Sequence, residues 1–194
     1  MNLLTTPRLL VRTLVREDAA ALASWRSDED VARYVPWTPP CSAEQAATLI
    51  ERVAAIPVDA PGNDGLLLGV VHTGGERHTL IGEAMIRHDG GDARQCVIGY
   101  ALHADAHGRG LATELTVGLL GWCFDQAATH RVTAWCDARN HASVRVLEKA
   151  GMRQEARFVQ GEFAKGEWVD ELVYAMLKSE WPAAAAGPPH RRVE

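Results

Sequence analysis

No stretch of this chain approaches the roughly 18 consecutive apolar residues that a membrane-spanning helix needs. Its first residues also lack the basic-then-apolar pattern of a secretory leader, so the expected location is cytoplasmic. Positive charge is in deficit: 20 Lys and Arg stand against 25 Asp and Glu, a formal net charge of −5. Without a basic stripe to neutralise phosphates, nucleic acid is excluded as the main partner. An acidic surface suits a cationic partner, though weakly. The four cysteines, Cys41, Cys96, Cys123 and Cys136, contain no C-x-x-C pair. The nearest approach to a metal constellation, Cys123 with His130 and Cys136, has no zinc spacing, so reduced core thiols and no metal are expected. The charge run Asp28-Glu-Asp30 reads as a solvated face.

What the sequence does contain is enough apolar residue, 47% of 194, to bury about 70% of its unfolded surface as one domain. Its most informative stretch is Ile98-Gly-Tyr-Ala-Leu-His-Ala-Asp-Ala-His-Gly-Arg-Gly-Leu-Ala-Thr-Glu-Leu115. Residues 97–102 read as a strand, followed by a polar loop and a helix opening near Gly110. Gly108, Gly110 and Ala112 let a ligand approach backbone amides closely. The first N–H groups of a helix lack intrahelical partners and carry the positive end of its dipole. Together these features make a cradle for a diphosphate. A P-loop needs Lys-Ser or Lys-Thr after its glycines, and none follows here. A dinucleotide fingerprint needs a third glycine, and Thr113 stands in its place.

In chain order, Arg8-Leu-Leu-Val-Arg-Thr13 alternates as a half-buried first strand, and Arg16-Glu-Asp18 opens a helix toward Trp25. Tyr34-Val-Pro-Trp-Thr-Pro-Pro40 is an irregular loop. Ser42-Ala-Glu-Gln45 is a capping box ahead of Ala46, Leu49, Ile50 and Val53 at helical spacing. Residues 56–65 form a connection. Residues 66–72, 79–88 and 95–102 read as antiparallel strands split by glycine turns at 73–75 and 89–91. Leu111, Leu115, Leu119 and Trp122 form one stripe of the next helix. A strand at 131–136 precedes a helix capped by Asn140 and closed by Gly151. Strands at 157–162 and 168–177 join through Ala164-Lys-Gly166, and the Ala/Pro-rich residues 182–194 read as a disordered tail. The order β-α-α-β-β-β-α-β-α-β-β makes an α+β fold in a single domain, 1–181.

His107, Gly110 and Ala112 match the first, fourth and sixth places of the pattern R/Q-x-x-G-x-G/A, with histidine at the first. Led by Ile98-Gly-Tyr and followed by Ala-Thr-Glu, this stretch resembles motif A of the GNAT N-acetyltransferases. Thr6-Pro-Arg-Leu-Leu-Val-Arg12, Asn140-His-Ala-Ser-Val-Arg-Val-Leu-Glu-Lys-Ala-Gly151 and Trp168-Val-Asp-Glu-Leu-Val-Tyr174 resemble the RimJ/RimL branch, and the likeness extends nearly to Trp181. The resemblance implies a GNAT fold with splayed central strands, acetyl-CoA as co-substrate, and direct attack on the thioester by a primary amine. That amine belongs to a protein N-terminus or a small molecule, and the enzyme would be a monomer or homodimer.

Carried over residue by residue, the cofactor would contact Ile98, Tyr100, Leu102, His107, Gly108, Arg109, Gly110, Leu111, Ala112, Thr113, Asn140 and Ser143. Ser143 would protonate the leaving thiolate, while Asn140 also serves as a helix cap. A backbone N–H near residues 100–102 would steady the oxyanion, and Tyr34 and Trp37 would border the acceptor. The family's carboxylate before Ile-Gly-Tyr is replaced by Val97. Glu83 is the substitute base on this reading; otherwise it is a solvent-facing strand residue. His72, His88 and His107 are the residue type suited to acid–base work near neutrality but as lone histidines read as surface or capping groups, and a water relay needs no single base. Two other readings stand: a non-catalytic CoA-binding module on the same fold, and a nucleotide-diphosphate phosphotransferase, which the absent Lys-Ser/Thr disfavours.

Overall fold

The computed structural model describes residues 1–57, 65–74, 78–90 and 92–181. Eight strands form one sheet: β1 (Asn2–Thr5), β2 (Leu9–Thr13), β3 (Leu66–His72), β4 (Thr79–Asp89), β5 (Asp92–Leu102), β6 (Arg131–Asp137), β7 (Arg153–Ala164) and β8 (Glu167–Leu177). Five helices cover it: α1 (Ala19–Arg26), α2 (Glu29–Ala32), α3 (Ala43–Ala54), α4 (Leu111–Gly121) and α5 (His141–Lys149). The strand order is β1-β2-β3-β4-β5-β6-β8-β7, antiparallel throughout except between β5 and β6. That parallel pair, joined through α4, holds for only three rungs, Gln95↔Arg131, Cys96↔Val132 and Val97↔Thr133. Beyond Val97 the β6-facing edge of β5 has no strand partner among the described residues.

Local chemistry explains the helix ends. Ser42 Oγ accepts the Gln45 amide at 3.1 Å while Gln45 Oε1 accepts the Ser42 amide at 2.7 Å, so the reciprocal cap forms. Asn140 Oδ1 accepts the Ser143 amide at 3.1 Å. At the other end of α5, Gly151 at φ +86° lets its own N–H and that of Met152 satisfy the carbonyls of Glu148 and Leu147.

Burial divides by face. Leu9, Val11, Ile86, Ile98 and Leu102 pack against Leu111, Leu115 and Leu119 of α4 and Leu147 of α5. On the opposite face Leu22 and Trp25 of α1 and Ile50 of α3 enclose Leu14 and Ala101. Each face therefore sandwiches β5, and the unpaired edge lies between the two layers.

The structure departs from expectation at several places, β5 among them, which begins at Asp92 rather than 95. The N-terminal strand is a hairpin, because residues 2–5 pair with β2 ahead of the expected start at Arg8. Asp28-Glu-Asp30 is not merely a solvated face: Asp28 Oδ1 accepts the amides of Asp30 and Val31, capping α2. β7 begins at Arg153 rather than 157. Its first half is polar and almost wholly exposed, as befits an edge strand, so it carries no alternating apolar signal. The expected tail at 182–194, and most of the connection at 56–65, lie outside the described residues.

Candidate active site

The cradle is shaped by backbone geometry. After a 3-10 turn at Ala104–Ala106 the chain enters α4 through Gly108 at φ +72° and Gly110 at φ +76°. Among the described residues, no acceptor is bonded to the N–H groups of Gly108, Arg109, Gly110, Leu111, Ala112 or Thr113. The first bond of the helix is Glu114 N–H to the Gly110 carbonyl, 3.1 Å. A Cβ placed on Gly108 would meet nothing within 4 Å. Six consecutive N–H groups are thus left without a protein acceptor among the described residues, a set that suits a pyrophosphate.

An acid in the first turn of α4 would repel that anion, but Glu114 is already neutralised. Its Oε1 accepts the Thr6 hydroxyl at 2.5 Å and the Arg8 amide at 2.8 Å; its Oε2 accepts Arg8 Nε at 2.6 Å. Arg8 Nη1 also donates to the Arg109 carbonyl at 3.0 Å, bracing the loop from the β1–β2 turn. Partial burial alone pushes the Glu114 carboxyl up, yet Thr6 and Arg8 together hold it below its ordinary value. The brace therefore contributes stability above the ordinary carboxylate range and loses it as pH falls through the depressed value. Arg8→Gln should weaken CoA binding about tenfold, since one charged hydrogen-bonding group is worth about 1.5–3 kcal/mol and Arg8 is partly exposed. Titration calorimetry with CoA reads this, and the acceptor KM should stay put. His107 also braces the loop: its ring Nε2 lies 2.9 Å from the Leu102 carbonyl and its N–H donates to the Ala104 carbonyl.

Past Val97, the gap between β5 and β6 collects polar groups. The Tyr100 hydroxyl is buried without a hydrogen-bond partner. Burial pushes this phenol up to about 12, while nearby Ser143 and Thr116 draw it partly back and Cys136 adds to the rise. Cys136 itself is pushed up to about 11, by burial first and then by Asp137 and Glu171. The Glu171 carboxyl is raised by burial, then by the charge and hydrogen bond of Glu162, then by Asp137. Cys136, opposite Leu172, faces the same core as Tyr100, whereas Glu171, opposite Asp137 of β6 and Phe158 of β7, belongs to the other face of the sheet, where Glu162 of β7 acts on it. Sequence reading missed Glu162 and Glu171. The available signal was a carboxylate at 171 in phase with Val169, Val173 and Ala175 on an apolar strand face.

Across the sheet, Tyr34 and Trp37 lie on the irregular loop between α2 and α3. Tyr34 is exposed and Trp37 half-buried, with its ring edge-on to Trp25 at 5.9 Å. A cleft of ≈ 510 Å³ opens there, lined by Arg26, Trp37, Thr38, Cys41, Thr48 and Leu49. Lys165, at the β7–β8 turn, donates its ammonium to the Ala32 carbonyl and ties that hairpin to α2. Glu83 is neither solvent-facing nor free. It is 4% exposed, and both its oxygens accept from Arg26, at 2.7–3.0 Å. Among the described residues no cluster of three His, Cys, Asp or Glu is placed to hold a metal. No described helix is long and apolar enough to cross a membrane.

An open amide cradle feeding an unpaired strand edge defines a class of acyl-CoA-dependent N-acyltransferases, and comparison with known proteins agrees. The model of the acetyltransferase (GNAT) domain family matches residues 8–153, and the chain belongs to that family. It is 29% identical to the uncharacterized N-acetyltransferase YnaD of Bacillus subtilis over 178 residues, covering 92% of this chain and 98% of that one. A GNAT-family acetyltransferase from Bacillus anthracis shares its structure with TM-score 0.79 at 28% identity, over 93% of this chain and 100% of that one. Mycobacterium smegmatis RimJ, solved with CoA-disulfide, has the same fold with TM-score 0.77 at 23% identity, over 90% of this chain and 84% of that one. The protein is an N-acetyltransferase.

Proposed function

We propose that this enzyme moves an acetyl group from acetyl-CoA to a primary amine by direct attack, without an acyl-enzyme, on a protein N-terminus or small amine as in the RimJ/RimL branch. The observation that carries this reading is the run of six unbonded amides at 108–113 beside the unpaired stretch 98–102 of β5. The cradle would take the pyrophosphate, and the free edge of β5 would pair with the peptide-like pantetheine arm. Acetyl-CoA supplies an activated thioester. The chain's own groups do the rest.

The amide edge at 100–102 stands ready for the developing oxyanion, a contribution of about 3–4 kcal/mol where comparable donors have been removed. Ser143, one turn into α5 and near the Tyr100 hydroxyl, would protonate the departing thiolate. Ser143→Ala should therefore lower kcat by about 10²-fold and leave CoA affinity nearly unchanged; equal losses in both would reduce Ser143 to a structural role. For the proton leaving the amine, the raised carboxyl of Glu171, paired with Glu162, is the better base. Glu83 has both oxygens committed to Arg26.

Thiol release from acetyl-CoA across a panel of N-terminal peptides and small amines tests the reading. Turnover on one class is expected. Strong thermal stabilisation by CoA with no release on any acceptor would make the chain a CoA-binding module instead.

A further inference from the structure

The geometry points to Arg26, assigned to nothing so far, as the positioning residue of the acceptor cleft. This inference rests on the acetyl-transfer reading above. Arg26 is the last residue of α1. Its Nε and Nη2 grip Glu83 at 3.0 and 2.7 Å, and the two side chains are only 12% and 6% exposed. The guanidinium carbon lies 4.3 Å from the centroid of the Trp37 ring, and Trp37 leans edge-on against Trp25. One flat cation is thus held at its edge by a carboxylate on the sheet while its face carries an indole of the loop, which only arginine's planar fork allows.

A second tie fixes the far end of the same loop. Ser27, next to Arg26, accepts the Cys41 amide at 3.0 Å, and its single O–H lies within donating distance of the Ala23 and Cys41 carbonyls, at 2.8 and 3.1 Å. The loop is therefore bolted at residues 37 and 41, both of which line the cleft. At its sheet end the bolt reaches the strand that carries the reacting edge, from that strand's other side. Glu83, on β4, is registered opposite Ala101 across the paired edge of β5, at the level where the β6-facing edge has no partner among the described residues. Gly82 permits this approach, since a Cβ there would come within 2.3 Å of the Ala101 carbonyl. Arg26 fixes the distance between the aromatic wall of the cleft and the strand edge where the thioester would lie. Glu83 anchors it through both carboxylate oxygens rather than serving as the base.

Arg26→Lys keeps the charge but loses the fork and the flat face. It should raise the acceptor KM about tenfold while the acetyl-CoA KM stays within about twofold, a loss of uniform binding on the acceptor side alone. Glu83→Gln should act in the same direction and leave the acid limb of the kcat/KM–pH profile where it is. Freed of its bolt, the loop should also be cut faster by trypsin after Arg33, with the thermal shift produced by CoA retained. Trp37→Ala, which leaves the buried ion pair intact, should reproduce the KM effect and covers the case in which an ion-pair variant fails to fold. The inference is overturned if Glu83→Gln moves the acid limb or removes kcat at unchanged acceptor KM, because Glu83 is then the base. It is overturned equally if Trp37→Ala leaves the acceptor KM unmoved, or if trypsin cuts Arg26→Lys no faster than the parent. The trypsin comparison needs no turnover, so failure of the parent enzyme to acetylate any amine would strike the functional reading alone.

Discussion

Glu171→Gln is expected to lower kcat/KM at neutral pH by about 10²–10³-fold, the usual range for removal of a placed proton acceptor. The sign of the pH dependence follows from the raised carboxyl. A base must be unprotonated to act, so the parent enzyme should lose activity as pH falls through a value above the ordinary carboxylate range. Burial is the first cause of that rise and Glu162 the second. Glu162→Gln removes a like charge, so the acid limb should move to lower pH. Two carboxylates that share a site titrate as a pair, and the shift of the whole profile is the quantity to measure. Stability supplies the control. A carboxyl whose folded value is raised contributes stability only below its ordinary pKa and loses it as pH rises through the raised value. At pH 7 to 8, Glu171→Gln should therefore be at least as stable as the parent in urea, and a large loss of turnover cannot then be blamed on unfolding.

Gly110→Val should abolish useful CoA affinity, raising Kd by about 10²-fold or more. At φ +76° a β-branched side chain meets strain of about 1–3 kcal/mol, and relief of that strain turns neighbouring N–H groups away from the anion. Each charged hydrogen bond lost costs about 1.5–3 kcal/mol more. Gly108→Ala should act in the same direction by a second route, since its Cβ would enter the open space in front of the amides. Gly166 is the matched control: it sits at φ +90° in the β7–β8 turn, where an added methyl would meet nothing within 4 Å. Gly166→Ala bears the same backbone penalty far from the cradle and should leave the thermal shift by CoA intact, as expected of a ligand that binds only the folded state.

What could be read from the sequence was what short-range chemistry decides. The strand–loop–helix at 97–115, the caps at Ser42 and Asn140 and the glycine stop at 151 depend on residues three or four apart, and the structure has each of them. The pairs that make the site work are distant in sequence. Arg8 meets Glu114 across 106 residues, and Arg26 meets Glu83 across 57. Glu162 meets Glu171 only because β7 shifts register between Phe158 and Glu162, an irregularity that no period-two pattern announces. Glu83 stands out in the sequence for its residue type and its strand. Its partner, which decides what the carboxylate can do, lies on a helix whose inward face shows only alanine, leucine and tryptophan.

The parallel pairing of β5 with β6 stops after three rungs, and the consequence is mechanical. Beyond Val97 the sheet is two panels sharing a hinge line, and among the described residues no main-chain partner closes the wedge between them. A guest that lies along residues 98–102 is a ninth strand as well as a reactant, and its arrival stiffens the very seam on which it is consumed. Once the acetyl group has left, the spent carrier still plugs that seam, so reopening the wedge is a step that every catalytic cycle has to complete.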